Sequence, residues 1–135
     1  MTDNPSTENP GTYPPPVEGE PLPRGAEAFG VRYKLETYSL DPTHKRGGPK
    51  ARGFELILGI TIDAIEYLEA QILARILDTP VREVRDNTPY GVKCTVDIHV
   101  NGIGAKADRI ATVRTVWSFD RPGAPPRLVN AFPKK

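Results

Sequence analysis

The sequence predicts an α+β domain, with two helices packed on one face of an antiparallel sheet of three to four strands. Two observations indicate this class. Apolar residues recur with a helical period between residues 49 and 77, and after Pro80 the period changes to two. A third observation, a proline-rich start, sets the boundary of the domain. A chain of 135 residues fits one domain of this kind.

The N-terminal segment, residues 1–30, is predicted to be disordered. Seven of the 15 prolines precede Arg24, and large aliphatic residues are almost absent there. Such a segment cannot bury enough apolar surface to offset the entropy lost on folding. It lacks the features of a signal peptide, and no stretch of the chain is long enough to span a bilayer. We therefore expect a cytoplasmic protein whose folded domain covers residues 31–135, without membrane contact.

Two helices are predicted before the sheet. The first runs from about Pro49 to Leu58, where Gly48 can serve as the N-cap and Gly59 is a typical C-terminal stop. The second runs from about Ile62 to Leu77, and Thr61 can cap it. Its apolar residues recur on one side, which predicts packing against the sheet.

The strands are predicted over residues 81–85, 92–100, 110–119 and 127–132. If their apolar residues pack on the helices, with Val129 and Ala131 inward in the last strand, the opposite face is polar. This open face would carry Lys93, Thr95, Asp97, His99, Thr112, Arg114, Ser118 and Asn130. The open face could bind an anionic ligand. The alternative is simple charge pairing between neighbouring strands, for example between Asp97 and Arg114.

A basic segment lies between Tyr38 and Phe54. Five basic residues surround a Gly-Gly-Pro that begins the first predicted helix: His44, Lys45, Arg46, Lys50 and Arg52. A lysine in the first turn of a helix is unfavourable by about 0.3–1 kcal/mol, whereas the free N–H groups there attract anions. A bound phosphate or carboxylate would explain this arrangement, and a solvated basic loop is the alternative.

The charge of the chain is unevenly distributed. Its net charge is +1, but the residues after Arg24 include 17 basic and 13 acidic side chains, so the predicted domain carries about +4. This balance favours a polyanionic partner. The acidic N-terminal segment could shield a basic site in a salt-dependent way. One cysteine and two histidines argue against a metal cluster, and we expect neither metal nor cofactor.

Four motifs follow one another between Tyr33 and Pro133. They are Tyr-x-Leu-x-Pro-x-His with Gly-Gly-x-Lys-Ala from residue 38, Thr-Pro-Tyr-Gly at 88–91, Ala-Thr-Val-Arg-Thr-Val-Trp at 111–117, and Pro-Arg-Leu-Val-Asn-Ala-Phe-Pro at 126–133. In this pattern the chain resembles a family of small bacterial domains found alone and at the C-termini of polymorphic toxins. Its order of elements is similar to that of the metal-independent ribonuclease toxins grouped with barnase, EndoU, colicin D and RelE.

The resemblance implies a toxin-like endoribonuclease that cleaves RNA by attack of the 2′-hydroxyl. RNA, with tRNA as one candidate, would be the substrate, and an antitoxin or immunity protein would be a partner. The motif residues His44, Lys50, Thr112 and Arg114 would be catalytic. The chemistry needs a proton-transfer group, for which His44 is the candidate, and cations that neutralise the phosphate. Asn130 departs from the threonine that the family pattern leads us to expect.

Other polar residues of the basic loop and the open face are candidate substrate ligands. They are Lys45, Arg46, Arg52, Lys93, His99, Arg127 and Asn130. The second functional hypothesis is a non-enzymatic module that binds nucleic acid or an acidic partner in the same basic groove. Each candidate also has a structural interpretation: His44 as an exposed loop residue, His99 as a strand-surface residue and Arg127 as an edge charge.

Overall fold

The computed structural model describes residues 13–87, 89 and 91–134. Within these residues, three α-helices precede one four-stranded antiparallel sheet. The helices are α1 (Val31–Lys34), α2 (Gly48–Leu58) and α3 (Ile65–Arg75). The strands are β1 (Glu83–Asp86), β2 (Val92–Asn101), β3 (Ile110–Phe119) and β4 (Arg127–Pro133), and they lie in sequence order across the sheet. The predicted α+β class is confirmed.

Helices α2 and α3 correspond to the two predicted helices. Gly47 rather than Gly48 is the N-cap of α2, and Gly59 ends it with a φ of 71°, in the left-handed region that favours glycine. Thr61 caps the second element as expected, because its side chain accepts from the backbone N–H of Asp63 at 3.4 Å. A 3₁₀ turn, Ile62–Ala64, precedes α3.

The helical segment from Val31 to Ser39 was not predicted. It consists of α1 and a π-helical turn, Leu35–Ser39. Gly30 at its N-cap supplies no side-chain hydrogen bond, so the sequence carries no capping signal. The segment is instead held by packing, since Val31 and Leu35 are buried in the core. Tertiary contacts stabilise a short helix of this kind more than its own propensity does.

The structure differs from the sequence expectation for the later part of the N-terminal segment. Leu22 is only 5% exposed and belongs to the core. Gly19 donates its N–H to the carbonyl of Val81 at 2.9 Å, and Val81 donates to the carbonyl of Glu20 at 2.8 Å. A buried apolar side chain and paired backbone groups therefore attach this proline-rich stretch to the domain. Residues 1–12 of the predicted disordered segment lie outside the described residues.

The helices cover one face of the sheet, as the alternation in β2 and β3 predicts. Val96, Ile98, Val113 and Trp117 are fully buried on this face. The indole N–H of Trp117 donates to the hydroxyl of Thr115 at 2.8 Å, and that hydroxyl donates to the carbonyl of Val96 at 2.7 Å. The polar groups at the centre of the core are thus satisfied by each other, as buried polar groups must be.

The last strand contains an irregularity that the sequence did not reveal. The register between β3 and β4 shifts so that Trp117 lies opposite Leu128 while Val116 lies opposite Asn130. Leu128 and Ala131 are buried, whereas Val129 is only half-buried. The expectation that Val129 points inward is therefore not met, because the bulge adds a residue at that place. Asn130 still shares the open face with Val116.

Two further expectations concern the turn before β2 and the membrane. Thr88 and Tyr90 of the Thr-Pro-Tyr-Gly motif lie outside the described residues. In the part of the chain that is described, every helix is too short or too polar to cross a bilayer.

Candidate anion-binding site

The basic loop between the π-helical turn and α2 is fixed by its own side chains. The carboxylate of Asp41 accepts the backbone N–H and the hydroxyl of Thr43 at 2.9 and 2.7 Å. These bonds from Thr43 lower the pKa of Asp41 below its ordinary range. The Nδ1 atom of His44 accepts the backbone N–H groups of Arg46 and Gly47, both at 3.0 Å. The loop therefore enters α2 in a defined conformation.

Two glycines bring the start of α2 close to the preceding chain. A Cβ atom on Gly47 would collide with the backbone carbonyl of Tyr38, and one on Gly48 would lie 2.9 Å from the carbonyl oxygen of Pro42. Neither position has room for a larger side chain. This close approach explains the Gly-Gly pair of the motif, and it places Lys50, in the first turn of α2, within reach of the Tyr38 ring.

Three basic side chains surround the ring of Tyr38. The ammonium group of Lys50 donates to the Tyr38 hydroxyl at 2.8 Å and lies 4.8 Å from the ring centroid. The His44 ring packs edge-on at a centroid distance of 4.9 Å. The ammonium group of Lys34 lies 5.4 Å from the same centroid. We call these four residues the Tyr38 cluster. Cation–π contacts of this kind contribute about 0.5–1 kcal/mol each at exposed sites.

The Tyr38 cluster is rich in hydrogen-bond donors. The positions of the polar hydrogens follow from the hydrogen bonds. The Tyr38 oxygen accepts a hydrogen bond from Lys50, so the O–H of Tyr38 remains free to donate. Lys50 keeps two further N–H groups, and neutral His44 carries its proton on Nε2 because Nδ1 is an acceptor. Among the described residues, no carboxylate pairs with Lys34 or Lys50 within ion-pair distance. The arrangement is chemically suited to an anionic oxygen.

The same geometry restricts what His44 can do. Its Nδ1 atom is occupied by two backbone N–H groups. Nε2 of the neutral ring is protonated, so the ring has no free acceptor nitrogen. A role as general base would require the loop hydrogen bonds to break, whereas a role as a fixed donor through Nε2 requires no change.

Phe132 connects the Tyr38 cluster to the open face of the sheet. The ammonium group of Lys50 lies 5.6 Å from the centroid of the Phe132 ring. In the sheet, Phe132 on β4 lies directly opposite Arg114 on β3. Directly opposed residues of an antiparallel pair project from the same face. An aromatic ring therefore stands between Lys50 and the polar residues of the open face.

A second set of charges lies on the open face around Asp97. Its carboxylate accepts two bonds from Arg114, at 2.9 and 3.0 Å, and Lys134 and Arg82 approach at 3.4 and 3.8 Å. We call these four residues the Asp97 cluster. The hydrogen bonds from Arg114 lower the pKa of Asp97, and the same bonds raise the pKa of Arg114. The cross-strand pairing that was the alternative interpretation is thus present for Arg114.

The other candidate site residues on the strands belong to neither the Tyr38 cluster nor the Asp97 cluster. Thr112 lies opposite His99, and its backbone carbonyl accepts the N–H of Lys134 at 2.8 Å. His99 is exposed, and Lys93 is half-buried on the same face. The side-chain oxygen of Asn130 is buried and has no hydrogen-bond partner among the described residues.

The remaining basic candidates lie on the surface. Lys45, Arg46 and Arg52 are exposed around the start of α2. Arg127 instead forms two hydrogen bonds with the carboxylate of Asp120, both at 3.0 Å, which agrees with its interpretation as a paired edge charge.

The four predicted catalytic residues fall into two groups. His44 and Lys50 meet at Tyr38, whereas Thr112 and Arg114 lie on the open face beyond Phe132. Sequence reasoning missed Tyr38 itself, together with Lys34 and Phe132. The available signal was the spacing of Lys34 and Tyr38, which are four residues apart and therefore neighbours on a helical segment. That segment was not predicted, so the signal could not be used.

Two further observations concern possible metal ligands and the single thiol. Across the described residues, no group of three or more His, Cys, Asp or Glu side chains is placed to hold a metal ion. Cys94 is buried in the core, and burial raises the pKa of its thiol to about 12. A buried thiol of this kind is chemically inert under ordinary conditions.

The fold and the site define a class of protein. It is a small α+β domain in which hydrogen-bond donors surround the ring of Tyr38, beside the edge strand β4 of the sheet. The chain belongs to the family described as Domain of unknown function (DUF6883), whose sequence profile matches residues 22–135. The match begins at Leu22, so it includes the core residue that precedes the predicted domain boundary. Comparisons with curated proteins and with solved structures found no match.

Proposed function

We propose that this domain binds single-stranded RNA, with phosphates held at the Tyr38 cluster and bases packed on Phe132 and the adjoining open face. Proteins that bind single strands combine cationic grooves with aromatic rings on which bases stack. The net positive charge of the domain and the resemblance of its motifs to RNA-cleaving toxins both direct the proposal to RNA rather than to another polyanion.

One observation carries this proposal: three basic groups converge on Tyr38, and no described carboxylate neutralises its lysines. Lys50 also occupies the first turn of α2, where the helix dipole disfavours a cation. Its contacts with Tyr38 and Phe132 offset part of that cost. A bound phosphate would offset the rest and would use the free donors of Tyr38, His44 and Lys50 together.

A second candidate function is a metal-independent endoribonuclease, and the 2.8 Å bond between Lys50 and Tyr38 favours it. In that reaction the 2′-hydroxyl would attack phosphorus and give up its proton to a base, for which exposed His99 is the candidate. The phenol of Tyr38 would protonate the departing 5′-oxygen, and Lys50 would stabilise the phenolate. An antitoxin or immunity protein would then be the expected partner.

Binding is the better-supported of the two because His44, the expected proton-transfer residue, lacks a free acceptor nitrogen. Its use as a base would break its hydrogen bonds with Arg46 and Gly47, whereas its use as a donor in binding leaves them intact. The ribonuclease would therefore need His99 as its base, and His99 lies on the open face, opposite Thr112 and beyond Phe132.

Binding can be measured by fluorescence anisotropy with a labelled oligouridylate of about 12 nucleotides, within the site sizes of single-strand binders. Lys50→Ala should weaken binding about tenfold, the loss expected for one hydrogen bond to a charged group. It should also reduce the slope of log affinity against log salt by about 1. Arg75→Ala is the matched control. It removes one exposed positive charge at the end of α3 and should leave the affinity unchanged.

The same RNA, incubated with the protein in EDTA, separates the two functions. Intact RNA supports the binding proposal. Cleavage to cyclic phosphate ends, with DNA spared and a loss of about 10²–10⁴ in Tyr38→Phe, would establish the ribonuclease instead. Absence of both binding and cleavage would overturn both functions.

A further inference from the structure

A cavity lined by two arginines and two glutamates opens on the side of the sheet nearest β1. Its volume is about 580 Å³, and it is lined by Glu18, Arg82, Glu83, Thr95 and Arg114. The cavity belongs to the open face, because Thr95 and Arg114 both project from that face. The strands lie in the order β1-β2-β3-β4. The cavity is near β1, whereas Phe132 and the Tyr38 cluster are near β4, and the Asp97–Arg114 pair on β2 and β3 lies between them.

Residues Val17–Glu20, which we call the strap, lie along the outer edge of β1. The backbones of Gly19 and Glu20 pair with Val81 through two hydrogen bonds of 2.9 and 2.8 Å. The carboxylate of Glu18 accepts the N–H of Val84 at 3.2 Å. This last bond places an acidic side chain of the strap at the wall of the cavity.

The two arginines of the cavity retain the capacity to bind an anion. Arg114 uses only Nε and Nη2 for Asp97, and a guanidinium has five N–H donors. The side chain of Arg82 is 63% exposed and approaches Asp97 only at 3.8 Å. Within the described part of the chain, Glu18 forms no ion pair with either arginine, although it lines the same cavity.

We propose that this cavity is a second phosphate subsite for the RNA, and that Glu18 on the strap weakens it. This inference rests on the proposed function for the identity of the ligand. A phosphate between Arg82 and Arg114 would receive N–H groups from both, but it would also be repelled by the carboxylates of Glu18 and Glu83. Glu83 lies 3.4 Å from the exposed side chain of Arg85, whereas Glu18 has no such ion pair among the described residues. The strap is held by few bonds at a sheet edge, so movement of the strap away from β1 would remove the repulsion from Glu18 and raise the affinity.

The test compares two variants of the full chain. Glu18→Gln removes the charge but keeps an oxygen that can accept from Val84. Glu20→Gln removes the same charge from the same strap, at a side chain that does not line the cavity. We expect Glu18→Gln to bind the oligouridylate about two- to fivefold more tightly at low salt, the usual range for one exposed charge contact. Glu20→Gln should match the unmodified chain.

Two further measurements sharpen the test. The gain from Glu18→Gln should shrink as salt is raised, because ions screen exposed charges over about 8–10 Å. Adding Arg82→Ala to Glu18→Gln should cancel the gain if the freed anion site uses that arginine.

The outcomes distinguish this inference from the proposed function. If Lys50→Ala weakens binding but Glu18→Gln changes nothing, or if both strap variants gain equally, the second subsite is overturned and the Tyr38 cluster stands. If Glu18→Gln gains while Lys50→Ala has no effect, the second subsite stands alone. If no variant binds RNA, both proposals are overturned.

Discussion

The Tyr38 cluster and the Asp97 cluster use similar side chains in opposite ways. Around Asp97, three cations share one carboxylate whose side chain is only 15% exposed. Around Tyr38, three basic groups share an aromatic ring and a phenol oxygen. In the first case the carboxylate cancels one positive charge and accepts hydrogen bonds from Arg114 and Lys134. In the second the ring contributes attraction without cancelling any charge, so the positive potential remains.

This difference separates the effect expected of Asp97 from that of the basic residues around Tyr38. Asp97 mainly supports the fold, because its loss leaves neighbouring cations uncompensated beside a partly buried site. A cation against an aromatic face can still bind a ligand, because the ring does not consume its hydrogen-bond donors. Loss of Asp97 should therefore lower stability, whereas loss of a cation of the Tyr38 cluster should lower binding.

The largest effect is expected from Gly47→Ala, which should damage the Tyr38 cluster through the backbone. The added methyl group would collide with the carbonyl of Tyr38, and overpacking of this kind costs about 1–3 kcal/mol or more. Urea unfolding should show a lower free energy of unfolding, and RNA binding should be lost with it. Gly25→Ala is the control, since a Cβ there meets Leu77 at an ordinary 3.7 Å. Equal stability of the two variants would contradict the close-approach argument.

Asp97→Ala should have the next largest effect, and it should act on stability. The substitution leaves Arg114 and Lys134 without their acceptor, and losing hydrogen bonds to a charged group costs about 1.5–3 kcal/mol. Glu83→Ala is the control, because it removes an exposed surface pair with Arg85 worth about 0–1 kcal/mol. The urea concentrations at the midpoint of unfolding are compared for the two variants. If Asp97→Ala is as stable as Glu83→Ala, the Asp97 cluster does not support the fold.

The stabilisation by Asp97 should disappear in acid. Hydrogen bonds from Arg114 hold the pKa of Asp97 below its ordinary value of 3.8. The unfolded chain therefore takes up a proton at this position before the folded one does, and stability falls as pH falls. The contribution is complete above the ordinary pKa and is lost as pH drops through the lowered one. The gap in stability between the unmodified chain and Asp97→Asn should thus narrow below pH 4. A constant gap from pH 7 to pH 2 would contradict this assignment.

The smallest effect on stability is expected from Lys50→Ala. Removing the lysine relieves about 0.3–1 kcal/mol of unfavourable interaction with the helix dipole. It also removes cation–π contacts of about 0.5–1 kcal/mol each, so the free energy of unfolding should change little while RNA affinity falls. A loss of stability as large as that of Asp97→Ala would show that the two clusters do not differ in kind.

The sheet could be predicted because its signal is local. Alternation in residues 92–100 and 110–119 places the apolar residues on the core face, and a slip of one residue would have reversed every side chain. The pairing of Asp97 with Arg114 followed as an alternative from the same alternation. The basic loop could be recognised as well, since His44, Lys50 and the two glycines lie within a short stretch.

Features that depend on contacts between distant segments could not be predicted. Leu22 belongs to a core cluster whose other members all come later in the chain, so composition alone suggested disorder. The bulge in β4 depends on how that strand meets Trp117, and Val129 itself carries no sign of it. The central role of Tyr38 depends on the helical segment at Val31–Ser39, whose weak local signal is overcome by packing.

The hydrogen-bonded tryptophan in the core has a practical consequence for all of these measurements. Trp117 is the only tryptophan in the chain, it is fully buried, and its indole bonds to Thr115 on the face opposite Arg114. Its fluorescence should change when the core opens and remain constant when a ligand occupies the open face. Titrating one sample with RNA and then with urea would therefore report binding through the labelled RNA and unfolding through the protein, with no overlap between the two signals.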